Sequence, residues 1–239
     1  MTERFDRLDA LRGVAIVWMV LYHFAYDLNH FGFFTPRYQF FVDPLWTTQR
    51  TIILSLFLFS AGFGQAAALA AGQSWRRFWR RWAMVAGCAA LVSIGSSLMF
   101  PKSWIAFGVL HGIAVMLIVV RLTARWGVWL WPLGLVAVLL PRMFGHPFFD
   151  QPFAHWTGLV TRKPITEDWV PVLPWLGVMW WGSAAGQWVL ARRRHWVTGP
   201  LSGTAAPLAL LGRWSLTVYM VHQPLLIGSI LAWRALATG

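Results

Sequence analysis

Charged residues are scarce in this sequence, and their scarcity argues against an ordinary soluble domain. Asp, Glu, Lys and Arg make up 12% of the 239 residues, whereas 58% of the residues are hydrophobic. Soluble globular domains carry roughly twice this charged fraction. The composition therefore favours a protein whose outer surface lies in lipid rather than in water.

Cysteine is almost absent as well, since the chain has one cysteine, Cys88. A single thiol cannot form an intramolecular disulfide or a cysteine-based metal site. We therefore predict no disulfide and no metal ion in the functional site.

Long apolar blocks, by contrast, fill most of the chain. A helix that crosses a bilayer needs about 20 mostly apolar residues. Many of the 18 tryptophans lie at the ends of such blocks, as in an interfacial aromatic belt. We predict an all-α fold, a polytopic transmembrane helical bundle of about seven spans in a single domain over residues 1–239. The predicted spans are 14–34, 51–71, 82–100, 104–120, 128–143, 172–191 and 214–233.

The formal charge of +12 is unevenly distributed between the connections that join these blocks. If the N-terminus is cytoplasmic, 13 of the 20 Lys and Arg residues fall on the cytoplasmic side and 7 on the other. This asymmetry is typical of positive-inside topology in a multi-pass cell (inner) membrane protein. The clusters at 76–81 and 192–194 would contact anionic lipid heads. We therefore expect the bilayer, and not nucleic acid, as partner, and a homo-oligomer is compatible with the sequence.

Two connections are longer than the rest. Residues 142–171 form a predicted external loop with several ionisable side chains, and residues 192–212 form a predicted cytoplasmic connection. Long external loops often cover or shape a site.

The first span carries ionisable residues that are costly in a membrane and usually mark function. His23, Asp27 and His30 follow one another at spacings of four and three, which places them on one helix face. Arg12 joins the same face about 16 Å towards the cytoplasm. Such a face must look into the protein or into a water-filled cavity. The alternative is that His23 and Asp27 only make structural polar contacts with each other or with a neighbouring helix.

The last span repeats this pattern. Ser215, Tyr219 and His222 share a face, and Pro224 should kink the helix next to them. A proline kink packed with polar partners is the alternative interpretation. His111, in the fourth span, is the third histidine within the predicted membrane layer.

Several kinds of chemistry fit three intramembrane histidines. An imidazole can act as general base when an amine or hydroxyl attacks a thioester, or can carry the acyl group itself. In that reading Asp27 would orient the imidazole of His23, and Arg12 would hold phosphates of the donor or make a structural contact. Histidines on separate membrane helices can also ligate haem or relay protons in a transporter. A non-catalytic scaffold is a further alternative, but it leaves the cost of burying His23 and Asp27 unexplained.

Five segments together resemble a known family of membrane enzymes. They are RLDALRGVA at 7–15, HFAYDL at 23–28, FGVLHGIA at 107–114, PWLG at 174–177 and GRWSLTVYMVHQP at 212–224. The chain is similar to the transmembrane acyltransferases and, more closely, to the bacterial branch of the heparan-alpha-glucosaminide N-acetyltransferase catalytic-domain family.

The resemblance implies an N- or O-acetyltransferase. It implies acetyl-CoA as a donor bound from the cytoplasm, and a glycan or amino-sugar acceptor at the outer face. By position Arg12 and His23 match the family's arginine and its first-helix polar catalytic position, while His30 is the alternative base. We therefore expect His23, Asp27 and His30 to be catalytic. Donor contacts are expected from Arg12, His111, Tyr219 and His222.

Overall fold

The computed structural model describes residues 5–199, 201, 203 and 205–238. This part of the chain is helical and contains no strand beyond an isolated bridge between Phe107 and Trp169, which confirms the predicted all-α class. The described α-helices are α1 (Asp6–His30), α2 (Pro44–Ala70), α3 (Trp75–Met99), α4 (Val109–Thr123), α5 (Leu130–Met143), α6 (Val172–Arg192), α7 (Ala206–Arg213) and α8 (Ser215–Thr238).

The described residues form two compact units. The terminal unit holds residues 5–57 and 198–238, and the central unit holds residues 58–197. Helix α2 contributes its first half to the terminal unit and its second half to the central unit. The single domain expected from the sequence stays a prediction.

Two glycines bring α7 against α1 in the terminal unit. A Cβ atom on Gly13 would lie 1.9 Å from the carbonyl oxygen of Leu208, and one on Gly212 would lie 1.7 Å from that of Asp9. Residue numbers rise along one helix as they fall along the other, so α1 and α7 are antiparallel. The predicted connection at 192–212 is therefore partly a helix, because the small residues let α7 dock its backbone directly on α1.

Helices α1 and α8 run in the same direction. His23 lies beside His222, Gln223 donates a hydrogen bond to Asp27, and Arg234 donates one to the carbonyl of Phe31. The numbers rise together along both helices, so the two are parallel. An apolar cluster that includes Ile16 and Met19 packs beneath these contacts.

Helix α6 organises the central unit. Val170, just before α6, lies against Gly112, and further along α6 the Trp180 indole donates a hydrogen bond to Thr123 at the end of α4. Helix α4 is therefore parallel to α6. Helix α5 is antiparallel to α6, because Trp181 donates to the carbonyl of Trp131 at the start of α5, while Gly177 meets Val138 near its end.

The chain reverses direction between α4 and α5. The turn is a short 3-10 segment, Ala124–Trp129, in which Gly127 has φ +54° and ψ −119°. Glycine adopts this backbone conformation without the steric cost that a Cβ atom would add. The two predicted spans at 104–120 and 128–143 are thus separate, antiparallel helices, although the helical segments between Val109 and Met143 follow one another without a gap.

In the described part of the chain, five helical stretches are long and apolar enough to cross a membrane. They are Asp6–His30, Pro44–Ala70, Trp75–Met99, Val109–Met143 and Ser215–Ala237. Helix α6 is not among them, because four tryptophans and three glycines replace aliphatic residues along it. The chain is a multi-pass membrane protein, and the count of seven spans stays a prediction. The helix directions within each unit are those that seven alternating spans require.

The loop between α5 and α6 contains two 3-10 turns, Pro147–Asp150 and His155–Thr157. Asp150 ties the loop together, because it accepts hydrogen bonds from the hydroxyl and the backbone N–H of Thr161 at 2.6 and 2.7 Å. The Thr161 hydroxyl holds the pKa of Asp150 below its usual range, with further help from the backbone N–H groups of Thr161 and Arg162.

Candidate active site

Two histidines meet inside the terminal unit. His23 on α1 and His222 on α8 have ring centroids 4.9 Å apart, with the ring planes inclined by 55°. His222 is buried with 7% of its surface exposed, whereas His23 is half-buried. The structure thus brings together two of the three histidines predicted within the membrane layer.

Backbone carbonyls orient both rings. Nδ1 of His23 lies 3.0 Å from the carbonyl oxygen of Met19, and Nδ1 of His222 lies 2.6 Å from that of Tyr219. A carbonyl oxygen only accepts, so each Nδ1 carries a proton and donates it. In the neutral ring Nε2 then keeps its lone pair. Both histidines therefore present the nitrogen form that can take up a proton.

A second polar contact lies one helical turn further along. Asp27 is 3% exposed, and its Oδ1 lies 3.4 Å from Nε2 of Gln223. Oδ2 of Asp27, Oε1 of Gln223 and Nε2 of His222 are buried and have no hydrogen-bond partner among the described residues. A buried polar atom without a partner costs about 1–3 kcal/mol. Two of these atoms belong to the contacting pair Asp27 and Gln223, and the third belongs to the residue before Gln223, which is unusual for a region that only packs helices.

His23 and Asp27 have different hydrogen-bond partners in the structure. The Nδ1 atom of His23 bonds to the Met19 carbonyl rather than to Asp27, and the hydrogen-bond partner of Asp27 is Gln223. Among the described residues no hydrogen bond joins Asp27 to the His23 ring, and the orienting role of Asp27 stays a prediction. The backbone of α1 holds the ring, because a carbonyl four residues earlier lies directly beneath it.

His30 lies away from the histidine pair. His30 is exposed at the end of α1. Its ring centroid lies 6.3 Å from that of Tyr26 and 5.4 Å from that of Phe31. Tyr219, by contrast, adjoins the pair, with its ring centroid 5.6 Å from that of His222. Of the two candidate bases on α1, His23 is the one with a second imidazole beside it.

Arg12 makes a structural contact at the start of α1. Its Nη1 atom lies 2.9 Å from Oδ1 of Asp9, and Arg213 lies 2.8 Å from Asp6 and 3.9 Å from Asp9. The Arg12–Asp9 pair lies within α1, and the two Arg213 pairs join α1 to the end of α7. Of the two roles expected for Arg12, a structural contact is present in its ion pair with Asp9, and the donor contact stays a prediction.

His111 belongs to the central unit, where both of its nitrogens are used. Nδ1 accepts from the backbone N–H of Gly108 at 3.2 Å, so Nε2 carries the proton and donates to Oγ of Ser93 at 3.1 Å. Oγ of Ser93 in turn donates to the carbonyl of Ile105. His111 therefore anchors the first turn of α4, and its expected contact with the acyl donor stays a prediction.

Gln223 and the Met19 carbonyl are site groups that the sequence prediction does not include. A signal for Gln223 is present, since it is an amide in an apolar span and directly follows His222. The carbonyl of Met19 has no signal in the sequence, because every residue has one and the side-chain rotamer of His23 decides which carbonyl it meets.

Comparison with known proteins identifies one family. A family model described as "Heparan-alpha-glucosaminide N-acetyltransferase, catalytic" matches residues 4–224. The match includes α1 and α8 as far as Pro224, and so contains every residue of the site. No curated protein and no solved structure matches the chain.

Proposed function

Because the chain belongs to the heparan-alpha-glucosaminide N-acetyltransferase catalytic-domain family, we propose that it is a membrane-embedded acyltransferase that uses acetyl-CoA. The acceptor is the amine or hydroxyl of a sugar or amino sugar, and His23 is the general base. Membership of this family indicates the general class of membrane acetyltransferases. The donor, the acceptor and the residue roles are the proposal.

The observation that supports His23 as the base is the paired arrangement of His23 and His222. His23 is half-buried rather than fully enclosed, and the Met19 carbonyl leaves Nε2 ready to accept a proton. His222 lies behind it at 4.9 Å and is buried. An imidazole whose Nε2 keeps its lone pair can act as a general base.

The reaction needs one proton to move. The acceptor nitrogen or oxygen attacks the thioester carbonyl, the new C–N or C–O bond forms, and the C–S bond breaks. Nε2 of His23 takes the proton that the acceptor loses and passes it to the leaving thiolate, which departs as free coenzyme A. The alternative step, in which the imidazole first carries the acetyl group, would leave an acetylated histidine that mass spectrometry detects after mixing with acetyl-CoA alone.

We place the donor on the predicted cytoplasmic side and the acceptor at the outer face of the cell (inner) membrane. Arg12 lies eleven residues before His23, so the charged end of α1 is about 16 Å from the histidine pair along the helix. That depth puts His23 well inside the apolar layer, where a donor and an acceptor can approach from opposite faces. Tyr219 and His222 would line the path.

The test is thioester cleavage by the purified protein. We expect acetyl-CoA to be consumed with glucosamine as acceptor, with free thiol and N-acetylglucosamine appearing together. His23→Gln should lower turnover by about a hundredfold or more, while the protein still elutes as a folded particle. His195→Gln is the matched control, because it replaces an exposed histidine of the central unit.

Full turnover in the His23→Gln variant would disprove its role as base and return attention to His30. The other functions expected of intramembrane histidines have their own signatures. A haem protein would show a Soret band as purified, and a transporter would move substrate across vesicles without cleaving the thioester.

A further inference from the structure

We infer that Asp27 and Gln223 form a subsite that receives a hydrogen-bond donor group of the acceptor, one helical turn from the reacting histidine. The inference rests on the proposed function. It assigns the acceptor a second polar group besides the one that reacts, and it makes Gln223 a specificity-determining residue.

The three unpartnered atoms have the same hydrogen-bonding character. Oε1 of Gln223 accepts, an ionised Asp27 accepts at Oδ2, and Nε2 of His222 accepts because Nδ1 donates to the Tyr219 carbonyl. The Gln223 amide must turn its nitrogen towards Asp27, because the reverse orientation would set two acceptors against each other. A group that satisfies this set must therefore bring donors.

The spacing gives the size of that group. Asp27 follows His23 by four residues on α1, so the subsite lies about 6 Å from the catalytic position along the helix axis. A ligand whose reacting nitrogen or oxygen lies at His23 would reach the subsite with a hydroxyl or amino group a few bonds away. A polyhydroxylated or amino-substituted ring meets this requirement, whereas a simple monofunctional amine does not.

Access runs through Gln223. Asp27 is 3% exposed, but Gln223 is half-buried and the next residue, Pro224, is exposed. Gln223 is therefore the more exposed member of the pair, although its Oε1 atom is buried. A rotamer change of Gln223 would uncover the carboxylate behind it, and Pro224 weakens the helix at this point because it cannot donate to the carbonyl of Met220.

The experiment compares two acceptors that share a primary amine. Glucosamine carries hydroxyl groups next to its amine, and cyclohexylamine carries none. Gln223→Leu should raise KM for glucosamine about tenfold to a hundredfold and leave KM for cyclohexylamine and for acetyl-CoA unchanged. Gln39→Leu makes the same chemical change at an exposed position of the same unit and should change neither KM.

A second variant tests whether the effect of Gln223→Leu comes from misfolding. A binding measurement tests the subsite even if the protein shows no turnover. Asp27→Asn keeps the size of the side chain and should show the same selective rise in KM. Glucosamine should raise the thermal unfolding midpoint of the unsubstituted protein more than cyclohexylamine does, and Gln223→Leu should remove this difference.

Equal effects of the substitutions on both acceptors, or no effect on either, would overturn the subsite. So would equal stabilisation by the two amines if the protein turns over neither. Failure of the unsubstituted protein to cleave acetyl-CoA with any acceptor would instead overturn the proposed function, while the stabilisation measurement would still decide whether the subsite exists.

Discussion

At the scale of single residues, histidines that look alike in the sequence have different surroundings. His23 and His222 each use Nδ1 on a carbonyl and keep Nε2 for other contacts. His111 uses both nitrogens within its own unit. A histidine that donates through Nδ1 keeps Nε2 free to accept a proton, as in His23 and His222. In His111 both nitrogens are already used in contacts that cap a helix.

We predict that His111→Leu lowers stability and leaves catalysis intact. The substitution leaves the N–H of Gly108 without its acceptor, which costs about 1–3 kcal/mol, while the Ser93 hydroxyl still donates to the carbonyl of Ile105. The measurement is the midpoint of thermal unfolding in detergent, together with turnover per folded molecule. His195→Leu is the control. Loss of turnover at unchanged stability would instead place His111 in the donor site, as the sequence prediction has it.

At the scale of helices, close backbone contact explains why Gly13 and Gly212 stand next to charged residues in RLDALRGVA and GRWSL. Gly13 and Gly212 let α1 and α7 touch, and the adjacent Arg12 and Arg213 form ion pairs with Asp9 and Asp6. The two arginine–glycine neighbours thus build one helix junction. This junction holds the start of α1, the helix that carries His23.

We predict that Gly13→Ala and Gly212→Ala each destabilise the protein by about 1–3 kcal/mol. The added methyl group would overlap a backbone carbonyl, which cannot move aside as a side chain can. Gly228→Ala on α8 is the control, since nothing lies within 4 Å of its added carbon. Unfolding midpoints that fall equally in all three variants, or in none, would contradict this account of the junction.

At the scale of the whole molecule, the direction of each helix bears on topology. Helices α1 and α8 are parallel, as a first and a seventh span must be. Helices α4 and α6 are parallel, as a fourth and a sixth span must be. Helix α5 is antiparallel to both, as the fifth span between them must be. These directions agree with seven alternating spans.

We predict that the N-terminus is cytoplasmic and that the turn between α4 and α5 is on the same side. In a Cys88→Ser background, Gln151→Cys should react with a membrane-impermeant maleimide in intact cells. Val128→Cys, which replaces a side chain that is 76% exposed in that turn, should react after the cells are opened and not before. The reverse pattern would invert the topology, and labelling of both sites in intact cells would remove α5 as a separate span.

The sequence alone determined the class of the protein and the positions of most of its spanning helices. Apolar blocks of the length of a bilayer leave little freedom, because an unpaired backbone in lipid is too costly for anything except a helix or a closed barrel. The stripe of His23 and Asp27 on one face also follows from helical periodicity alone.

Only the tertiary structure decided which of these groups meet. In the structure His23 lies beside His222, and Asp27 accepts a hydrogen bond from Gln223. Part of the 192–212 connection forms α7. The physical reason is that periodicity orders residues along one helix, whereas contacts between helices depend on backbone approach and side-chain rotamers. Those are set at positions such as Gly13, Gly212 and the Met19 carbonyl, which carry no chemical signal of their own.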